Sequence, residues 1–125
     1  MHIIDHSRLD ACGIPGIEHR TLASAAQGLK GLSIWRQAVA AGGATPPHRH
    51  DCEEVVVVLS GRGRLAIDGA IHEFGPDTTL VIPPYVDHQI FSDGPGPMEL
   101  VTAFSATPVG VVLPDGTPLE LPWPS

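Results

Sequence analysis

Glycine and proline interrupt this chain at short intervals, and no convincing long helix fits between them. The 125 residues include 14 glycines and 13 prolines. Short runs rich in valine, isoleucine and leucine lie between these breakers, among them residues 54–59, 78–82 and 98–104. Short strands at even spacing with Gly/Pro turns are typical of two-layer or closed β structures. The sequence therefore predicts an all-β fold, a β-sandwich or a barrel of the jelly-roll type.

The length predicts one domain with three parts. A chain of 125 residues is long enough for one hydrophobic core and too short for two. Residues 1–31 are weakly patterned, and we expect an N-terminal arm, either a short strand or an irregular segment, that packs on the domain or on a second subunit. Residues 32–113 carry the strands of the predicted barrel, and the proline-rich residues 114–125 are expected to form a tail packed on its surface.

The charge of the chain excludes two classes of partner. The formal net charge is −7, and Lys30 is the single lysine. Without a Lys/Arg cluster, nucleic acid and anionic membranes are poor partners. No apolar run approaches the ~18 residues of a membrane span, and the N-terminus lacks the basic-then-apolar pattern of a signal peptide. We therefore expect a cytoplasmic protein in which Cys12 and Cys52 stay reduced thiols.

Two imidazoles and a carboxylate lie close together just before an apolar strand. His48 and His50 are two residues apart, so on an extended segment they project to the same side. Glu54 opens the valine-rich strand, and the strand fixes the place of its carboxylate. Imidazole and carboxylate together favour Fe, Mn, Zn, Ni or Cu over Ca or Mg. The pattern indicates the larger part of a metal site.

Two readings of this loop stay open on spacing alone. The histidines of a proline-rich loop can be solvated surface groups, and acidic residues before a strand can keep a sheet edge soluble. Cys52 lies in the same loop, where it is either an extra soft ligand or a small buried hydrophobic residue.

A further histidine, His88, begins another predicted strand after the Pro83-Pro84 corner. With this residue the chain resembles a small single-domain cupin. The first cupin motif is a glycine, five residues, His-x-His, three or four residues, a glutamate, six residues and a glycine. Its slots are all filled, by Gly42, His48, His50, Glu54 and Gly61.

The second cupin motif is met less fully. Pro83 and His88 occupy their slots, whereas Asp77 and Tyr85 stand where the motif has glycine and Ser92 stands where it has asparagine. Aspartate tolerates a left-handed backbone better than most residues. We expect the bulky Tyr85 to take another backbone path, with its ring leaning over the mouth of the pocket.

The resemblance covers roughly residues 32–105 and implies a cupin jelly-roll barrel. It also implies that His48, His50, Glu54 and His88 bind one divalent transition metal inside that barrel, and that the chain forms a homodimer. Three neutral imidazoles and one carboxylate leave a divalent ion with about one net positive charge, and an octahedral ion then has two open positions.

Strand alternation predicts a mostly apolar pocket for a small organic molecule. If Glu54 and His88 face inward, every second residue after them does so too. No regularly spaced Arg/Lys pair points inward, so a sugar phosphate is a poor ligand. The candidate pocket residues are Gln37, Val56, Val58, Tyr85, Ile90 and Ser92, with Trp35 and Arg36 as further candidates for the wall.

Three functions compete for this predicted site. The first is a mononuclear metal dioxygenase, in which catalysis is mainly the work of the ion. The second is a metal-assisted isomerase, lyase or cyclase in which a side chain such as Tyr85 moves a proton. The third is a non-catalytic cupin that binds a metal or ligand, since a fold does not determine a function.

Overall fold

The computed structural model describes residues 1–125 and contains nine β-strands and two single-turn 3₁₀ helices. The strands are β1 (Cys12–Ile14), β2 (Ile17–Ala23), β3 (Ser33–Val39), β4 (Glu54–Ser60), β5 (Gly63–Ile67), β6 (Ala70–Phe74), β7 (Thr78–Ile82), β8 (His88–Ser92) and β9 (Met98–Phe104). The 3₁₀ helices are His6–Arg8 and Ala25–Gln27. The all-β prediction is confirmed.

The strands form two antiparallel sheets. One has six strands in the order β1-β2-β3-β9-β4-β7, and the other has three in the order β6-β5-β8. After β4 the chain crosses to the small sheet for β5 and β6, returns for β7 at the edge of the large sheet, crosses again for β8, and ends with β9 between β3 and β4. Isolated bridges from Ala44 to Phe91 and from His48 to His88 then place the loop before β4 beside β8. This pairing closes the jelly roll around its core.

The inward faces of β4 and β9 supply much of the core. Buried and more exposed residues alternate along both strands, as the period of two requires. Burial of each such aliphatic side chain stabilises the fold by roughly 1.5–3 kcal/mol. The main apolar cluster consists of Ile17, Val39, Val56, Val58, Leu65, Leu80, Ile82, Ile90, Met98 and Leu100. A second cluster consists of Trp35, Cys52, Phe104, Val109 and Trp123.

Within the predicted N-terminal arm, residues 12–23 form two strands. β1 and β2 extend the large sheet, and β2 pairs with β3 from Ile17 opposite Val39 to Ala23 opposite Ile34. The apolar pattern of β2 is weak because the buried position after Ile17 is His19. At the other end, the tail is packed on the barrel, with Trp123 buried. No further strand forms over residues 109–113, where Val112 makes isolated bridges only.

Asp77 and Tyr85 both adopt the left-handed backbone that glycine favours, with φ of 57° and 65°. The expectation of another backbone path at Tyr85 is wrong. The Tyr85 N–H donates to the His50 carbonyl at 2.7 Å, which helps to offset a left-handed cost of roughly 1–2 kcal/mol. The corner therefore keeps its shape without glycine.

Gly61→Ala is expected to destabilise the chain by about 2 kcal/mol or more. Gly61 has φ of 89°, and an added Cβ would lie 2.7 Å from the Met98 Cα, so strain and overpacking combine. Gly69→Ala is the matched control, because its φ is 72° and nothing lies within 4 Å of the added Cβ. Urea unfolding of both variants measures the difference, and equal losses would contradict the close packing at Gly61.

Candidate metal centre

Four buried side chains from separate parts of the chain meet inside the barrel. His48 and His50 come from the loop before β4, Glu54 is the first residue of β4, and His88 is the first residue of β8. One ligand atom from each lies within 4.8 Å of those of the other three. The structure therefore brings together all four of the residues predicted as ligands, in a cluster that could hold a metal ion.

Backbone pairing explains why these residues meet. The His48 N–H donates to the His88 carbonyl at 3.0 Å, and the His88 N–H donates back at 2.8 Å. Glu54 is held in the large sheet, opposite Phe104 on one side and Ile82 on the other. Glu54 and His88 are thus mounted on strands of the two different sheets, and the loop that carries His48 and His50 is joined to β8 at His48, which gives the site a rigid frame.

Each imidazole is fixed in one tautomer by a backbone carbonyl. A carbonyl only accepts, so each Nδ1 must carry the proton and each neutral ring keeps a lone pair on Nε2. Such outer hydrogen bonds are typical of histidines that bind metals. The acceptors are Pro46 O at 2.7 Å for His48, Gly110 O at 2.8 Å for His50 and Val86 O at 2.9 Å for His88.

The inner atoms of the cluster are close together and lack hydrogen-bond partners. His88 Nε2 lies 3.1 Å and His50 Nε2 lies 3.4 Å from Glu54 Oε1. All three atoms are buried without a hydrogen bond, although buried polar atoms are normally satisfied. An ion among these atoms would satisfy them together, and three nitrogens with one carboxylate oxygen suit a divalent transition metal.

The pKa shifts of the cluster reflect burial and the carboxylate. Burial lowers the pKa of His48 to about 4 and also lowers the pKa of His50. Burial works against ionisation of Glu54, but the His88 contact and the charges of the imidazoles hold its pKa below the usual range. Burial likewise opposes protonation of His88, yet Glu54 raises its pKa overall. Glu54 is therefore ionised and ready to bind a cation.

A mostly apolar cavity extends from the metal cluster. Ten of its 17 lining residues are hydrophobic, and no lysine or arginine is among them. Besides His48, His50 and Glu54, the polar lining residues are Gln37, Thr45 and Thr102. Trp35, Phe104 and Trp123 supply its aromatic wall. The cavity therefore suits a small, largely apolar molecule.

The predicted pocket residues are only partly in this cavity. Gln37 and Ile90 line it, whereas Val56 and Val58 face inward but pack in the apolar core. Ser92 is buried where its backbone pairs with Gly63, and its side chain is not part of the cavity wall. Arg36 is exposed on the outer face of β3, since it alternates with the inward-facing residues.

Tyr85 also lies outside the cavity, contrary to its predicted place at the pocket mouth. It is 72% exposed, because the left-handed corner leaves its side chain in solvent.

Cys52 packs in the second apolar cluster and is not one of the four converging residues. Several residues that line the cavity were not predicted from the sequence. They lie on β9 and in the tail, namely Leu100, Thr102, Phe104, Leu119, Leu121 and Trp123. Alternation along β9 was the available signal for the first three.

Comparison with known proteins identifies the family. The family model described as auxin binding protein matches residues 2–118. The chain belongs to this family. Auxin-binding protein 1 of Arabidopsis thaliana is 36% identical over 114 residues, which cover 83% of this chain and 58% of that protein. The chain thus spans less than two thirds of the length of this curated relative.

Solved structures confirm the cupin fold. A cupin-2 domain from Rhodospirillum rubrum aligns with a TM-score of 0.75 at 20% identity, covering 91% of this chain and 80% of its own. The polyketide cyclase RemF from Streptomyces resistomycificus aligns with a TM-score of 0.73 at 24% identity, covering 87% and 83%. Identities this low show the shared fold alone.

The structure has no helix with the length and hydrophobicity needed to span a bilayer.

His19 is fully buried behind the aromatic wall. Its ring stacks on Trp123 with centroids 3.8 Å apart and lies edge-on to Trp35 at 5.0 Å. Burial lowers its pKa to about 4. In the unfolded chain this imidazole binds a proton below about pH 6.5, whereas in the folded chain it stays neutral until the pH approaches 4. The free energy of unfolding therefore falls as the pH decreases from about 6.5 towards 4.

His19→Gln is expected to reduce the acid sensitivity of the metal-free chain. Between pH 7 and pH 5 the free energy of unfolding should fall by about 2 kcal/mol less than in the wild type. Urea unfolding at the two pH values measures this difference. His72→Gln serves as the control, since His72 is exposed on β6. An unchanged pH slope in the His19 variant would refute the assignment.

Proposed function

We propose that this chain binds one divalent transition metal through His48, His50, Glu54 and His88, and that the cavity binds a small aromatic carboxylic acid with its carboxylate at the metal. The observation that carries the proposal is the convergence of four buried ligand atoms from these residues, three of which, His48, His50 and Glu54, also line the apolar cavity.

Charge supports a carboxylate as the group that meets the ion. A divalent cation with one glutamate retains about one net positive charge, and it offers a Lewis-acid site for an anionic oxygen. The cavity lining contains no Lys or Arg that could compete for the anion. An acid whose charge lies at one end would therefore bind in one orientation.

The shape of the wall supports an aromatic body for the ligand. Trp35, Phe104 and Trp123 line the cavity together with aliphatic residues, and aromatic rings pack well by edge-to-face and offset contacts. The relatives are named for auxin, and auxins such as indole-3-acetic acid are small aromatic carboxylic acids. The name of the relatives and the wall of this cavity thus favour the same ligand class.

Calorimetric titration of the zinc-loaded chain tests this proposal. Indole-3-acetic acid should bind, and the neutral indole-3-acetamide should bind at least 100-fold more weakly, because it lacks the charge that pairs with the ion. The metal-free chain should show the same loss for the acid. Equal binding of acid and amide, or equal binding with and without zinc, would refute the role of the metal in ligand binding.

Oxygenation of the bound acid is a second candidate, favoured by the three-histidine, one-glutamate set with its open positions. It requires no further acid or base from the protein, whereas the proton transfer suggested for Tyr85 lacks support because that residue is outside the cavity. Oxygen uptake by the iron(II)-loaded chain with indole-3-acetic acid, absent with zinc, would support a dioxygenase. The homodimer and the cytoplasmic location stay predictions.

A further inference from the structure

Arg49 lies between two of the proposed metal ligands and faces away from them. Side chains alternate along an extended segment, so His48 and His50 point into the barrel while the guanidinium of Arg49 points outward. The Arg49 side chain is 27% exposed, whereas both histidines are buried. Arg49 therefore belongs to the outer surface of the metal centre and is not one of the four converging residues.

The segment that carries Arg49 is held between two others. On one side His48 exchanges backbone hydrogen bonds with His88, in the segment that leads into β8. On the other side the Arg49 N–H donates to the Val112 carbonyl at 2.9 Å, and the Val112 N–H donates back at 3.0 Å. Val112 belongs to the segment that follows β9, so segments from two distant parts of the chain flank the ligand loop.

The two flanking segments also orient two of the ligands. Val86, in the segment before β8, supplies the carbonyl that accepts from His88 Nδ1. Gly110, in the segment after β9, supplies the carbonyl that accepts from His50 Nδ1. A shift of either segment would turn the imidazole that it holds, and loss of such an outer hydrogen bond typically lowers metal affinity by roughly 10–100-fold. The geometry of the site therefore depends on how the three segments are joined.

The guanidinium of Arg49 bonds to both flanking segments. Its Nη1 lies 3.1 Å from Asp87 Oδ1, in the segment before β8. The same nitrogen donates to the Leu113 and Pro114 carbonyls at 3.3 and 3.4 Å, in the segment after β9. One cationic group thus joins the two segments whose carbonyls orient metal ligands.

We infer that Arg49 is a positioning residue for the metal centre, because its guanidinium fixes the two segments that orient the imidazoles of His50 and His88. The inference rests on the proposed function for the binding of a divalent transition metal. Asp87 is 46% exposed, and an ion pair with partners this exposed contributes little to folding. The loss of Arg49 should therefore affect the metal affinity more than the stability of the metal-free chain.

The sign of the effect on zinc binding separates positioning from simple electrostatics. A cation near the bound ion repels it, so loss of the charge alone would tighten binding, whereas loss of the positioning contacts would weaken it. Arg49→Met keeps much of the length of the side chain and removes its charge and donors. Chelator competition on the full chain should show about tenfold weaker zinc binding than in the wild type. Equal or tighter binding would overturn the inference.

Arg49→Lys tests rescue by a conservative change. All three contacts of Arg49 are made by one nitrogen, and a lysine ammonium offers three N–H donors from one nitrogen. The lysine variant should bind zinc at least about threefold more tightly than the methionine variant, although it retains the repelling charge. Equal zinc affinities of the two variants would overturn the role of the contacts.

Arg64→Met is the control for the loss of an arginine from an ion pair. Arg64 lies 3.0 Å from Asp93 with similar exposure, but Asp93 follows the end of β8 opposite to His88. The control should bind zinc within about twofold of the wild type. A loss equal to that of the Arg49→Met variant would overturn the inference.

Urea unfolding of the metal-free chains separates positioning from general stability. The midpoint of Arg49→Met should lie within about 0.5 M of the wild type. A larger shift, or loss of the fold, would show that Arg49 acts on the whole domain and would overturn the inference. Wild-type zinc affinity in Arg49→Met overturns this inference and leaves the proposed function standing. If the wild type itself binds no zinc, the proposed function fails, and the role of Arg49 fails with it.

Discussion

His50→Ala is expected to lower the affinity for a divalent transition metal by about a thousandfold while leaving the chain folded. The variant removes one of four ligands, and loss even of an outer hydrogen bond to a ligand costs roughly 10–100-fold. His50 lies in a loop with its Nδ1 bonded to Gly110 O, so no strand pairing of the sheets is lost. Competition against a chelator measures the affinity, and circular dichroism checks the β structure.

His72→Ala is the matched control for this experiment. His72 is exposed on β6 and is not one of the four converging residues. It should keep wild-type affinity and one equivalent of metal by elemental analysis. Wild-type metal content in the His50 variant would show that the ion binds at another site.

Trp123→Ala is expected to destabilise the chain by about 4 kcal/mol, the middle of the range for large aromatic residues in cores. Trp123 is only 7% exposed although it is followed by only two residues of this sequence. It stacks on His19 at 3.8 Å and lies edge-on to Trp35 at 5.6 Å. Urea unfolding of the metal-free chain measures the loss directly.

Tyr85→Ala is the control for the removal of an aromatic residue. Tyr85 is largely exposed, so its truncation should change the free energy of unfolding by less than about 0.5 kcal/mol. A Trp123→Ala loss as small as that of the control would mean that the tail does not pack against His19 in solution.

The metal cluster could be predicted from sequence because most of it is local. His48, His50 and Glu54 lie within seven residues, and a loop followed by a strand needs little tertiary information to be placed. His88 is forty residues from His48, and the cupin motifs supplied its position in advance. The structure shows the pairing that the motifs imply, with His48 and His88 joined by two backbone hydrogen bonds.

The cavity wall was harder to predict because its residues come together over long sequence distances. Trp123 stands in a proline-rich tail with no periodic pattern, and its contact with His19 spans more than one hundred residues. His19 has no other histidine or acidic residue at a metal-ligand spacing in the sequence, and a buried imidazole has no sequence signal of its own. Its neutral state and its partners Thr21 and Gln37 become evident only when β2 and β3 are paired.

Tyr85 shows how a motif can be kept without its usual residue. The corner before β8 retains a left-handed φ of 65° with tyrosine in the glycine slot. The penalty of a side chain in this conformation is modest, and the hydrogen bond to the His50 carbonyl belongs to the same structure that positions the metal ligands. Local preference was therefore a poor guide to the path of the chain and to the place of the ring.

The most direct test of the central claim is anomalous diffraction from crystals of the zinc-loaded chain soaked with indole-3-acetic acid. Data collected at the zinc absorption edge should show one peak about 2.0–2.2 Å from His48 Nε2, His50 Nε2, His88 Nε2 and a Glu54 carboxylate oxygen, with the carboxylate of the acid completing the coordination. A peak away from these four side chains, or an acid that binds in the cavity without contact to the ion, would contradict the account.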